Sequence, residues 1–409
     1  MRNACLISRC VVVCSLLLSP LCFAQNINTP ENFPDPNFRA FIEEFMGVGP
    51  DGEFTAEEAA AKTGVLDCSR RDISDMTGLH FFQGVTELHC GSNNLTQLDV
   101  SHNTGLTALH CWGNELTSLD VFANRSLIHL ECSNNFLAEL DISSNTALKY
   151  LQCRHNQLTH LDISVNPALI GLDCAFNQLS GLDITANTSL EWLNCIYNQL
   201  TSLDLSKNAS LINLKCANNQ LSNLDITTNP ALTELTCGGN GFTALDLSQN
   251  ANLIRLDCYE GQLMELDLSG NPALVGLACF NNSLKTLNLS ANQLLEYVDC
   301  SHNQITSVDI SGNMWVAHLD CSYNQLTDLG VFIETIESRD PQYSITYLDV
   351  RYNCLDCGDW EDVQYIISQI GDAELPPDAW CGVRDGLDYT PQRGLDPYIC
   401  TPVLDWSLR

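Results

Sequence analysis

The chain has 409 residues, 50 acidic against 18 basic, a formal charge of −32 at pH 7 and 45% apolar residues. That apolar content suffices for a buried core and rules out wholesale disorder. The acidic balance argues against nucleic acid or anionic membrane as a partner, because both require a basic surface.

Residues 1–24 read as a signal peptide. Arg2 and Arg9 give a basic start, Cys10 to Phe23 is apolar but too short to span a bilayer, and cleavage is expected after Ala24. The expected destination is secreted or cell-envelope, where disulfides are permitted. Beyond residue 24 no apolar run approaches the ~18 residues of a membrane span. Residues 25–84 read as an N-terminal helical cap. Phe38, Phe41, Ile42 and Phe45 share one helical face, and Thr55 with Glu58 forms a capping box that opens a second short helix, closed by Gly64. Gly47 to Glu58 looks like a calcium-binding EF-hand loop, with Asp51, Gly52, Phe54 and Glu58 in place. Gly47 and Gly49 stand where the first and third ligands belong, so the loop is degenerate and is expected to serve only as cap.

From residue 85 to 329 the chain repeats. Cysteines fall at 90, 111, 132, 153, 174, 195, 216, 237, 258, 279, 300 and 321, eleven intervals of 21, and Cys68 precedes them by 22. The leucine and cysteine positions alternate inward with outward variable residues, the period of a strand. One coil cannot bury its own leucines, so stacked coils must share a core. Two asparagine columns, one from Asn93 to Asn324 broken at Gly261 and one from Asn103 to Asn313, are expected to hold the corners through their amides. The unit resembles a leucine-rich repeat of the nested 21-residue bacterial kind, and the cysteines resemble the ladder of the cysteine-containing internalins. The resemblance implies an α/β-type solenoid, a right-handed coil of short parallel strands with small helical caps.

Residues 330–409 read as a final, longer repeat followed by a cysteine-containing C-terminal cap, with helices over Gly330–Arg339 and from Asp359. Ladder cysteines are expected to be free buried thiols, since stacked side chains ~4.8 Å apart do not meet disulfide geometry. Cys354, Cys357, Cys381 and Cys400 lie outside the ladder and are expected to form two disulfides, with three pairings open. The resemblance favours Cys354–Cys381 and Cys357–Cys400, since leucine-rich repeat caps often interleave their bridges.

Other clusters read as scaffold. An aspartate column from Asp99 to Asp309 is expected to accept bonds from its own turns without calcium, and His89, His110 and Glu131 share an outward column by chance. No metal and no cofactor are expected. No phosphate loop, metalloprotease motif or nucleophile elbow occurs, so no enzyme is expected. Outward residues around the strand are aromatic-rich: Trp112, Tyr150, Phe176, Trp192, Tyr197, Tyr259, Phe280, Tyr297 and Tyr323. Leucine-rich repeats bind through that concave face, and exposed aromatics anchor interfaces. The expected protein is an exported monomer that binds a protein ligand there, in an adhesion-type role. A glycan ligand or a purely structural envelope role is the alternative. The densest aromatic cluster is expected between Tyr150 and Tyr197.

Overall fold

The computed structural model describes residues 25–49, 52–338 and 345–354, and two short strands at 383–384 and 387–388. The array is a solenoid whose coils contribute one strand each to a 14-stranded sheet. Each strand pairs in parallel with the next coil, so Leu109 lies opposite Leu130, and Leu130 opposite Leu151. A representative coil buries Leu106, Leu109, Cys111, Leu116, Leu119 and Val121. These side chains meet their counterparts on both neighbouring coils and form one continuous core.

The sheet begins inside the segment read as cap. Gly64–Asp67 pairs with Val85–His89, and a bulge between Gly64 and Val65 skips Thr86. That bulge absorbs the extra residue in the 22-residue spacing, so Cys68 heads the same buried column as Cys90. At the other end Tyr347–Asp349 joins in register with His318–Asp320 across the longer final coil. Second halves of the coils are mostly turns, with a short parallel pair of Leu287–Asn288 and Val308–Asp309 and a single parallel bridge between Asp99 and Asp120.

The caps follow from local sequence. Asp35 caps helix α1 (Pro36–Met46), which buries Phe38, Phe41 and Ile42. The other Asp35 oxygen accepts from the Ser74 amide (2.7 Å) and hydroxyl (2.8 Å), fastening α1 to the first coil. Helix α2 (Ala56–Ala61) opens with the expected capping box of Thr55 and Glu58. It ends at Lys62 and not at Gly64, because Lys62 turns extended to donate to the α1 carbonyls of Phe45 and Met46. Gly64, at φ 87°, starts the first strand instead. Helix α3 (Gly330–Ser338) matches the expectation for that segment. The expected helix from Asp359 lies outside the described residues.

The two asparagine columns do different work. In the first, Asn114 Nδ2 donates to the carbonyls of Cys90 (3.1 Å) and Cys111 (3.0 Å), while Oδ1 accepts from the Leu95 amide (3.0 Å). Each such amide therefore ties its own turn to the coil before it. In the second, Asn124 Nδ2 donates to Val100 and Asn103 carbonyls. Its Oδ1 is buried and accepts from no protein donor among the described residues, as in Asn145, Asn166, Asn187 and Asn208. The first column thus both donates and accepts, while these members of the second only donate among the described residues.

Thirteen cysteines, Cys68 to Cys321, are buried free thiols. Burial pushes Cys68, Cys132, Cys216 and Cys258 up to about 12 from an ordinary value of 9.0. The unfolded chain ionises its thiols at lower pH than the folded one, so their contribution is intact below the unfolded value and lost as pH rises toward the folded one. Each thiol removes about 1.4 kcal/mol per pH unit in that window, so melting temperature should fall steeply between pH 9 and 11. A Cys→Ala change in several ladder positions should flatten that fall. At pH 8, alkylation should label no ladder thiol in the native protein and all thirteen after denaturation without reductant. Labelling of one or two would mean that the ladder is cross-linked.

Candidate binding face

Outward side chains of the sheet form columns because the repeat never slips. Two columns flank the buried leucine of each strand. Three of the expected aromatics, Tyr150, Trp192 and Tyr297, stand in the first of these. Trp112, Tyr259 and Phe280 immediately follow ladder cysteines, and Phe176, Tyr197 and Tyr323 come one residue later. The nine therefore lie in three columns. Trp192 and Tyr197 stand in different columns, on opposite borders of one strand. Tyr150, Tyr197 and Tyr297 are exposed, and the other six are half-buried.

The last of these columns has unusual backbone geometry. From Arg70 to Tyr352 this position has φ between 51° and 65°, with glycine only at Gly113 and Gly239. A left-handed conformation costs a non-glycine residue about 1–2 kcal/mol. It persists because the amide it turns outward donates to the next coil, as in Phe176 to the Ile196 carbonyl (2.9 Å) and Tyr197 to Ala217 (3.0 Å). The same geometry stacks the rings. His155, Phe176 and Tyr197 lie face to face at 4.1 and 4.6 Å, and His302, Tyr323 and Tyr352 at 4.0 and 4.1 Å. Tyr259 and Phe280 stack at 4.9 Å in the neighbouring column. His155 and His302 were not among the expected residues, although their positions modulo 21 place them in this column. At Glu260, which makes no ring contact, Glu260→Gly should raise stability by up to about 1 kcal/mol and Glu260→Val should lower it. Urea denaturation reads both.

Histidines collect at the N-terminal coils. His89, His110 and Glu131 are paired in register. His110 Nδ1 lies 2.8 Å from Glu131 Oε2, and its ring meets His89 and His129 edge-on at 4.5 and 4.6 Å. These groups form no cluster that could hold a metal ion among the described residues. Burial first, then His110, holds His129 below the usual imidazole range, and burial does the same for His318. A depressed imidazole stays neutral when folded and charges when unfolded, so its contribution is intact above about pH 6.5 and lost as pH falls through the folded value. His129→Gln combined with His318→Gln should lose less melting temperature between pH 7 and 5.5 than the unaltered protein.

The remaining candidates are committed elsewhere. Asp141, Asp162, Asp183 and Asp204 accept from a hydroxyl and amide of their own turns, which hold their carboxyls below the usual range. An open depression beside His160 is lined in part by the already bonded carboxylates of Asp141 and Asp162. In the EF-hand-like segment Phe54 is buried, and the Glu58 carboxylate accepts from the Thr55 amide at 2.8 Å. Asp51 lies outside the described residues. Cys354 is disulfide-bonded; Cys357, Cys381 and Cys400 lie outside the described residues, and with them the pairing.

Fold, ladder and columns together define a leucine-rich repeat solenoid with a buried cysteine ladder. The functional domain of InlJ from Listeria monocytogenes, whose structure includes a cysteine ladder, superposes with a TM-score of 0.74 at 36% identity, over 79% of this chain and 70% of that one. Internalin J of Listeria monocytogenes serotype 4b is 39% identical over 72 residues, which are 18% of this chain and only 8% of that protein. An internalin of the same species, inlF, shares the fold with a TM-score of 0.63 at 19% identity, over 80% of this chain and 98% of that one. No family model matches the chain. The chain belongs to the internalin family, in its cysteine-ladder form. None of the described helices is long and apolar enough to cross a membrane.

Proposed function

We infer that the chain is an exported, non-enzymatic recognition protein that binds a protein ligand through the strand face, in an adhesion-type role. The observation that carries this reading is the contrast between columns. Inward positions repeat leucine and cysteine almost without variation, while the outward columns of the same strands hold aromatic, acidic, basic and imidazole side chains in a different order on every coil. Core packing asks nothing of these positions, and clustered aromatics and charges are what interfaces use. Membership of the internalin family and the signal-like first 24 residues support export. Ring stacking favours protein over glycan, because a ring between two neighbours, as Phe176, Tyr323 and His318 are, presents its edge and lacks the free face that a sugar needs.

Screening residues 25–409 against protein and glycan arrays tests the reading; saturable binding to a protein is expected. Trp192→Ala with Tyr197→Ala should melt within a few degrees of the unaltered protein. Loss of aromatic anchors costs ~2 kcal/mol or more, so its binding should weaken at least tenfold. A variant that folds and binds normally would place recognition off this face, and one that unfolds would assign the rings to the core.

A further inference from the structure

Glycines on the strand face expose backbone unless a neighbour covers it. A Cβ at Gly91 would fall 2.5 Å from the Trp112 indole nitrogen, and one at Gly238 would fall 2.7 Å from the Tyr259 ring. At Gly171 it would meet Tyr150 and Trp192 at 3.1 and 3.2 Å. In each case an aromatic of the next coil leans back over the gap. Gly276 differs: the nearest atom is Arg255 Cγ at 3.8 Å. The next residue in its column, Tyr297, is turned away to stack on His318 (4.5 Å, 16°), which stacks on Tyr347 (4.1 Å, 3°). The residue on the other side of Leu277 is Ala278, a buried methyl. The space over Gly276 is therefore a notch one coil wide, with Arg255 on one side and, on the other, the Tyr297 ring face that His318 does not cover.

The notch lies in a column of carboxylates. Asp299, Asp320 and Asp349 are in direct register on the coils that follow it, and Asp257 lies on the coil before it. The chain supplies its own guanidinium to both ends of the column. Arg255 Nε donates to Asp257 at 3.0 Å, and Arg351 Nε to Asp349 at 2.9 Å. Asp299 and Asp320, between them, form no ion pair among the described residues; each accepts from the serine of its own turn, Ser301 and Ser322. Like charges directly opposite one another on adjacent strands repel. Burial first, with Asp349 and Asp299 adding to it, raises the Asp320 carboxyl.

Resting on the reading of the strand face as the recognition surface, we propose that this notch seats one arginine side chain of the protein ligand. Its guanidinium lies over Gly276 against the free face of Tyr297 and pairs with Asp299, the carboxylate on the same strand as that ring. Arginine suits the site better than lysine because a planar guanidinium stacks on a ring while its fork meets a carboxylate. Charge complementarity and the uncovered ring face make the same demand independently.

Titration of N-acetyl-arginine amide into isotope-labelled residues 25–409, followed by amide chemical shifts, tests the site directly. Saturable shifts are expected at Gly276, Ala278 and Tyr297, and they should be at least tenfold weaker with the neutral isostere N-acetyl-citrulline amide. Gly276→Tyr places a ring in open space, so it should keep the melting temperature and weaken binding at least tenfold. Asp299→Asn with Asp320→Asn should do the same. Equal shifts from citrulline or from N-acetyl-lysine amide would overturn the guanidinium assignment. Shifts spread along Asp99 to Asp309 would reduce the effect to diffuse attraction by an acidic chain and overturn the site. A protein ligand released by the Trp192 and Tyr197 changes but unaffected by Gly276→Tyr would overturn the notch and leave the binding face standing. One unaffected by all these changes would overturn both.

Discussion

A turn buried between two neighbouring coils has amides and carbonyls that water cannot reach, and an asparagine in nearly every coil meets that need. The Asn114 side chain bonds its own Cys111 carbonyl, the Cys90 carbonyl of the coil before, and the Leu95 amide. Three partners at fixed positions hold each turn in line with the one before it, and the final coil keeps the same three bonds through Asn353 with its extra residues carried in the segment that contains α3. The 21-residue period is the sequence expression of that geometry. The one place where the cysteine spacing becomes 22 needs a bulge, at Gly64 and Val65, to restore alignment.

Strict alignment has a second effect. Equivalent residues of successive coils stand one above another at strand spacing, ~4.8 Å, so a chemical choice made on one coil is felt on the next. Rings at that spacing stack, carboxylates repel, and a glycine becomes either a seat for the next ring or an opening. The left-handed corner strengthens this coupling, since it turns His155, Phe176 and Tyr197 into one face-to-face pile at the border of the strand. What the face can bind is therefore decided by vertical neighbours as much as by the composition of any one strand.

Much of this was legible in the sequence, unevenly. Cysteine spacing, leucine positions and the asparagine columns revealed the solenoid, because identical geometry demands identical residues. The capping box at Thr55 and the phenylalanines of α1 were visible for the same reason: local chemistry decided them. The left-handed column was not visible, because its residues run from Ser92 to Glu260 to Tyr323 with no common side-chain property; the backbone bond to the next coil imposes the conformation on whatever stands there. Nor could the sequence tell a covered glycine from an open one. Gly171 and Gly276 occupy equivalent positions in their coils, and only the direction in which the next ring leans distinguishes them.

The two ends of the array are joined to it by unlike means, a bulged strand at one and a lengthened coil at the other, while the junctions between them repeat one set of bonds, save where Gly261 replaces the asparagine. A gene encoding such a chain can gain or lose whole 21-residue segments by unequal recombination without disturbing any surviving junction. Other losses or gains would strand asparagines opposite the wrong turns unless a bulge or an added helix absorbed them, as at the two ends. Array length is thus free to drift in steps of one coil. The pairings that depend on particular neighbours, such as Tyr297 on His318 or Trp192 over Gly171, mark the segments where such a step would alter what the surface recognises.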